Sequence, residues 1–447
     1  MTPHLKRSRI TKALTDRAGG KTGFDAAEDR LGKVRVAVVL MPDQAKTAAG
    51  QAAALTVVAT SVKCFGSATL VAARRTRIVK PLPIGKTIGA AATALGASLS
   101  AGIPEEATHI VMIGHGATTR GDIFVRCWWN GWIAGVLPPW DDRGLGSSGN
   151  PLAGVFAGAV AVREVFATVL GYPRSGNRVS IASLWEPWLD PETAAAGPAE
   201  VYIPPKVWFI GLGHLGQGFL WNLALLPVRG SHAVLQDDQT VGEENEATGL
   251  LTTAADVNHR KTRVAAKWLD GVGWPTSLVE RRHYGDIPLL PDDPAIVITG
   301  LDEPKARIAI AGAGFDYMID AGIGHGPVDF EGLQIRVLKK GTDATAFWST
   351  PEIPKDLDAL LQQEAYREHA EKFENCGTLT LANASVAVPF VGAAVGALTI
   401  AQAIRLASMQ TTVQIMQMEL GSPGMAMVGA MNDALAVGFG SVAVRLG

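Results

Sequence analysis

Gly211, Gly213 and Gly216 stand at the spacing G-L-G-H-L-G, directly after the apolar run 207–210 and ahead of a helical stretch beginning near Leu215. Glycines at such a turn let the backbone close on a phosphate, and the free N–H groups of the following helix start favour the negative charge. Asp237 follows the next apolar run, 233–235, where a carboxylate can accept hydrogen bonds from ribose hydroxyls. These residues specify a nucleotide-binding α/β unit. By themselves they leave open an NAD-dependent oxidoreductase, an ATP-using enzyme and a glycine-rich turn without a ligand.

The surrounding pattern supplies elements able to hold such a site. Residues 34–40 read as a buried strand, 48–64 as an alanine-rich helix, and 67–72 and 109–113 as further strands, the last stopped by Gly114 and Gly116. Residues 149–170 read as a helix of small side chains, and 171–205 as a connector punctuated by Pro and Gly. A second unit then repeats the order, with strands at 207–210, 233–235, 295–299 and 317–320 and a helix over 257–271. Strands alternating with helices imply a parallel sheet covered on both faces. The expected architecture is α/β, with two Rossmann-like folds in tandem forming a pseudo-dimer. Its bounds are 1–175 for the first lobe, 176–204 for the connector and 205–447 for the second lobe.

A chain of 447 residues with 47% hydrophobic and 18% charged residues can build two to three cores of ordinary size. A formal net charge of −2 speaks against a general nucleic-acid or anionic-membrane binder. Cys64, Cys127 and Cys376 lie far apart without a CxxC, so neither a disulfide framework nor a four-cysteine zinc site is expected, and a reducing cytoplasm fits. The basic start (Lys6, Arg7, Arg9) is followed by no apolar core of a secretory signal. Residues 376–404 carry no charge and include Gly392 and Gly396 as a GxxxG, but Asn383, Ser385, Pro389 and Gln402 interrupt them. A buried helix is the favoured reading over a membrane span, with 381–389 as a loop or strand.

The residues after Asp237 narrow the choice. Thr240, Val241 and Asn245 come next, then Asp256, Val257 and Lys261, and later Val297-Ile298-Thr299-Gly300-Leu301-Asp302 with Arg307 beyond. This succession resembles the ubiquitin-activating-enzyme (ThiF-type) adenylyltransferase superfamily over about 201–407. The resemblance implies ATP and Mg²⁺ as cofactors, with no zinc. It implies that Lys261 neutralises α-phosphate charge, that Asp302 holds the magnesium ion, and that Asn245 belongs to the nucleotide loop. An NAD-dependent oxidoreductase would leave Lys261 and Asp302 without roles. Three positions depart from the pattern: Gln239 replaces the loop's second acid, Thr248 its arginine, and Glu303 the usual asparagine.

The same resemblance makes the second lobe the active adenylation fold and the first an inactive partner. The first lobe's leading strand ends Leu40-Met41-Pro42-Asp43, without glycines through which a backbone could approach pyrophosphate. Counting back from Gly23-Phe24-Asp25 places Arg17 near the position of an arginine finger that reaches the partner's ATP site. Cys376, in Asn375-Cys376-Gly377-Thr378, falls where compact activators carry a thioester-forming cysteine on a crossover loop, after a helical stretch at 355–372. Cys64 and Cys127 read as core, and His325 as a loop residue near the site. The implied partners are a ubiquitin-like protein with a C-terminal glycine and a conjugating enzyme, with no nucleic acid and no membrane. The fused arrangement looks most like the activating enzymes of bacterial ubiquitin-like conjugation operons. Adenylation for sulfur transfer or dehydration without a thioester, and a non-catalytic nucleotide-binding scaffold, remain as alternatives.

Overall fold

Five consecutive apolar side chains, Val36–Leu40, are too many for one face of a strand, and the fold buries all five. That requires cover on both faces, the condition of a parallel sheet flanked by helices. The computed structural model describes residues 6–116, 124–146, 149–228, 230–324, 326, 328–348, 357–435, 438 and 440–446, without the side chains of 357, 373–377 and 383.

Strand β1 (Val36–Leu40) pairs in parallel with β2 (Ala68–Val71), and β2 with β3 (Ser98–Ser100). On its other side β1 pairs in parallel with β4 (His109–Ile113), and β4 with β5 (Val125–Asn130). The chain turns back at Gly131 into antiparallel β6 (Ile133–Leu137), and β7 (Ser180–Ser183) closes the edge. The second sheet holds β8 (Lys206–Ile210), β9 (His232–Gln236), β10 (Thr276–Val279), β11 (Ile296–Thr299) and β12 (Tyr317–Ile323) in parallel. Antiparallel β13 (Gly332–Lys339), β14 (Thr412–Glu419) and β15 (Met427–Asn432) extend it. The orders are β3-β2-β1-β4-β5-β6-β7 and β10-β9-β8-β11-β12-β13-β14-β15, the same sequence of steps with one extra edge strand.

Strands β1, β2, β4, β8, β9, β11 and β12 fall where the sequence places them. Parallel β3 and β10, and likewise β5, β6, β13, β14 and β15, have no counterpart in that reading, and β7 lies inside the segment read as a connector. Four long helices join the sheets. Helices α1 (Ser8–Arg17) and α2 (Phe24–Gly32) precede them, and α3 (Ala48–Phe65) and α4 (Pro151–Val169) pack in the first half. In the second half α5 (His214–Leu225) packs on the late helix α10 (Pro389–Ala407). Between these come α6 (Glu243–Thr248), α7 (Lys261–Gly271), α8 (Pro304–Ala311) and α9 (Glu364–Asn383).

Small residues explain how closely these helices approach. A Cβ on Gly154 would lie 2.1 Å from the Ala49 carbonyl oxygen. In the second half, a Cβ on Gly218 would lie 2.1 Å from the Gly392 carbonyl, and one on Gly396 2.3 Å from that of Gly218. The GxxxG of residues 392–396 therefore seats α10 on α5. By length and composition α3, α4 and α10 are each apolar enough to span a membrane, yet 83%, 94% and 100% of those stretches are buried within the fold.

One continuous core runs through both halves. Phe166 of α4 meets Phe330 at 6.0 Å and Phe390 of α10 at 5.5 Å between ring centroids. Truncating so buried an aromatic costs about 3–5 kcal/mol. Polar clamps cross the same boundary: Arg163 pairs with Glu331 at 2.6 Å, and Trp221 Nε1 donates to Thr56 Oγ1 at 2.9 Å.

Candidate active site

The C-terminal ends of β8, β9 and β11 open into a cleft of about 710 Å³, within the range of sites for small ligands. Crevices of open α/β sheets form there because the strand order reverses at that point, leaving room between neighbouring connections.

Each glycine of the loop after β8 answers a different demand. Gly211 has φ +85°, in the left-handed region, and a Cβ there would strike the Leu301 side chain at 2.8 Å. Gly216 abuts the Gly211 carbonyl, which a Cβ would meet at 2.1 Å. At Gly213, the residue capping α5, nothing lies within 4 Å of where a Cβ would stand. Gly211 and Gly213 line the cleft, and Gly216 supports the turn from behind. Helix α5 begins immediately afterwards, so its unsatisfied N–H groups and positive dipole end lie beside the cleft.

Asp237 ties the loop to β9. Its Oδ2 accepts the Leu212 N–H at 2.7 Å and its Oδ1 the Gln239 N–H at 2.8 Å. The carboxylate is thus already engaged with the glycine loop and keeps its remaining lone pairs for the cleft it lines. Asn245 caps α6 by accepting the Gly242 N–H at 3.0 Å. Lys261 opens α7, is 8% exposed, and donates to Gln239 Oε1 at 2.6 Å. The residue that departs from the acidic pattern therefore orients the lysine without neutralising it.

Asp302 stands exposed on the cleft wall, two residues beyond Gly300 at the end of β11. Facing it is Arg9 of α1, almost 300 residues away in sequence. Arg9 Nε donates to the Ser385 carbonyl at 2.9 Å. Burial pushes its guanidinium down, and the carboxylates of Glu244 and Asp302 hold it up. Arg17 is not among the residues lining the cleft. Its guanidinium donates to the Tyr172 hydroxyl and lies 4.2 Å from that ring's centroid. The count back to Arg17 runs from Gly23-Phe24-Asp25, which open α2. In the fold α1 ends at Arg17 and a turn leads into α2, so the residue facing the cleft is two helical turns earlier.

Thr248 is 1% exposed, with its hydroxyl on the Glu244 carbonyl at 3.0 Å, so no cation reaches the cleft from there. Its carbonyl receives His214 Nδ1 at 2.8 Å. Burial pushes the His214 imidazole down to about 4, so it is neutral near pH 7. Arg281 and Arg282 line the opposite wall, the first 2.9 Å from Asp286 and the second 3.6 Å from both Asp238 and Glu303. The sequence reading missed Arg9, His214 and this arginine pair. A basic residue on an N-terminal amphipathic helix is the one signal that could have pointed to Arg9.

A magnesium ion usually takes one or two carboxylates and leaves its other positions to phosphate oxygens and water. Asp302 fits that demand: it is exposed, at the cleft rim, and on the side where the glycine loop would hold phosphates. Among the described residues no group of three or more His, Cys, Asp or Glu side chains converges as a metal cage, so Asp302 would act with the nucleotide.

Cys376 lies within helix α9 rather than on a loop. Its side chain, and His325 altogether, are outside the described residues. Cys64 and Cys127 are buried, and burial pushes both thiols far up, which suits core residues. In the first half the corner equivalent to the glycine loop is filled by side chains. A Cβ on Gly114 would lie 2.5 Å from Asp43 Oδ1 and 2.7 Å from the Met41 side chain.

Residues 35–184 match the family described as the BilD N-terminal domain, and residues 203–410 the BilD C-terminal domain. The bacterial E1-like protein BilD of Collimonas sp. (strain OK412) is 31% identical over 413 residues, 90% of this chain and 88% of that protein. Among solved structures, the crystal structure of E. coli MccB aligns over 51% of this chain and 63% of its own length, at 14% identity and a TM-score of 0.36, a likeness too slight to bear on the fold.

Proposed function

This chain belongs to the BilD family of bacterial E1-like proteins, within the E1/ThiF-type superfamily, and from that premise we propose that it adenylates the C-terminal glycine of a ubiquitin-fold protein. The observation that carries the proposal is the convergence of the glycine loop, Lys261, Asp302 and Arg9 on one cleft. A carboxylate attacks the α-phosphorus of ATP, the P–O bond to pyrophosphate breaks, and an acyl-adenylate forms. The N–H groups of residues 213–215, at the start of α5, hold the phosphates. Lys261, kept in place by the neutral Gln239 amide, meets charge developing at the α-phosphate. Arg9 supplies the cation that Thr248 does not. Asp302 would hold magnesium, which when bound would offset the charge of the phosphates.

In this reading the two halves are a pseudo-dimer of adenylation folds with one active lobe. The shared strand order supports it, as does the side-chain filling at Met41, Asp43 and Gly114. The partner glycine would then pass to Cys376: the sulfur attacks the acyl carbon, the C–O bond to AMP breaks, and a thioester remains for a conjugating enzyme. The helical setting of residue 376 favours a second reading, adenylation without thioester capture, as in sulfur transfer or dehydration. Incubation with ATP, magnesium and a glycine-ended ubiquitin-fold protein separates the two. Thioester capture predicts a reductant-sensitive adduct on non-reducing gels, lost in Cys376→Ala while ATP–pyrophosphate exchange continues. An adduct that persists in Cys376→Ala removes that residue from the capture, and exchange without any adduct in the native protein selects the second reading.

A further inference from the structure

Beneath Asp302 lies a buried ionic network with no part in the chemistry above. Asp320 of β12 is fully buried. Its Oδ1 accepts the Thr299 hydroxyl at 2.7 Å and lies 3.4 Å from Arg307 Nε. Its Oδ2 accepts from Arg336 Nη1 at 3.3 Å. Arg307, 9% exposed, sends Nε to the Leu301 carbonyl at 3.1 Å, and its Nη2 donates to the same oxygen. Leu301 is the residue directly before Asp302. Gly322, two residues after Asp320, leaves room for this guanidinium: a Cβ there would stand 3.2 Å from Arg307 Nη2.

The turn 300–302 carries an exposed carboxylate, held on one side by the Gly300 N–H on the Ile210 carbonyl at 3.3 Å. Nearer the carboxylate it is held by the Arg307 bonds to the Leu301 carbonyl. Arg307 holds the Leu301 carbonyl with two donors of its planar fork, and the Asp320 carboxylate, 3.4 Å from the same Nε, braces that fork. Asp320 is in turn placed by Thr299 of the neighbouring strand and by Arg336. A buried carboxylate between two guanidiniums is weak evidence for added stability, because desolvation offsets most of the attraction. Its geometry instead has a direction, from β12 through Arg307 to the Asp302 turn.

We propose that Asp320 and Arg307 are positioning residues that set the Asp302 carboxylate for magnesium on the bound nucleotide. This rests on the reading of Asp302 as the magnesium carboxylate. The test titrates a fluorescent ATP analogue with and without magnesium and takes the ratio of the two dissociation constants. In the native protein magnesium tightens binding. Arg307→Met and Asp320→Asn reduce that ratio by roughly 10-fold, as loss of one preorganised contact would, while affinity without magnesium changes by less than about 2-fold in Asp320→Asn; Arg307 itself lines the cleft, so for its variants the ratio alone is read. Arg307→Lys, which keeps the charge but not the fork, recovers only part of the ratio. Combining Asp320→Asn with Asp302→Asn gives no further loss, because both act through one turn. If Asp320→Asn does not fold, Arg307→Lys and Arg307→Met decide the matter from the cleft side. A folded variant whose magnesium ratio equals the native one, or one that loses affinity equally with and without magnesium, overturns the proposal. A native protein whose affinity does not respond to magnesium overturns the underlying reading of Asp302 itself.

Discussion

Replacing Gln239 by glutamate places a full negative charge against Lys261 and changes almost nothing else in shape. Lys261 Nζ is 2.6 Å from Gln239 Oε1. A phosphate oxygen on the other side of the ammonium group would sit about 2.8 Å away, so carboxylate and phosphate would face each other across about 5.4 Å. Two unit charges at about that distance repel by about 0.8 kcal/mol in water and about 3 kcal/mol at an effective dielectric near 20. That corresponds to about a 4- to 200-fold loss of nucleotide affinity. Residue 239 is exposed, which favours the lower part of the range. The assay is a fluorescence titration of an ATP analogue with native protein and Gln239→Glu, at low ionic strength and again at high salt. The affinity gap should narrow as salt rises, since screening weakens exposed charge pairs first. Unchanged or tighter binding by a folded Gln239→Glu protein at low salt would refute the reasoning that a neutral partner leaves Lys261 available to phosphate.

Three other outcomes follow from the geometry. Gly213→Val should fold normally and abolish nucleotide binding in a titration that gives one site per native chain, because the added atoms enter open cleft; two sites per native chain would contradict the single active lobe. Arg9→Met should weaken ATP binding by roughly 10-fold or more, whereas Arg17→Met, which touches Tyr172 instead, should leave it unchanged; equal effects would return the cation role to Arg17. His214 is held near 4 in the fold against 6.5 unfolded, so the unfolded chain takes up a proton first as pH falls and stability drops between those values. At pH 5 this linkage is worth about 2 kcal/mol, and urea unfolding of His214→Gln at pH 7 and pH 5 should show a correspondingly smaller acid loss than the native protein.

The parts of the site legible in the sequence are those set by one strand–turn–helix unit. Gly211, Gly213, Asp237, Lys261 and Asp302 each follow a buried strand or open a helix, so their neighbours along the chain fix where they stand. Arg9 was not legible, because it reaches the cleft by seating α1 against Ser385 and α9, contacts between residues hundreds of positions apart. The central parallel strands showed as short apolar runs, whereas parallel β3 and β10 carry Ser98, Ser100, Thr276 and Ser277, and β13 and β14 carry polar residues such as Gln334, Arg336 and Gln417. Arg336 is buried all the same, because Asp320 receives it, a pairing that apolar patterning cannot reveal. Asn375, Gly377 and Thr378 suggested a loop around Cys376. The helix there is stabilised instead by tertiary contacts, with Tyr366 buried between Lys12, Asp16 and Phe24, and His369 against the Phe24 ring at 5.1 Å. Such packing overrides weak local propensity.

The central claim is that this cleft adenylates a carboxyl terminus, and ATP–pyrophosphate exchange measures that step alone. Native protein with magnesium and a glycine-ended ubiquitin-fold protein should exchange label into ATP, and should stop when the terminal glycine is removed. Asp302→Asn should lower the rate by roughly 10²-fold or more. Exchange that ignores the partner's terminus, or that survives Asp302→Asn in a folded protein, would contradict the account.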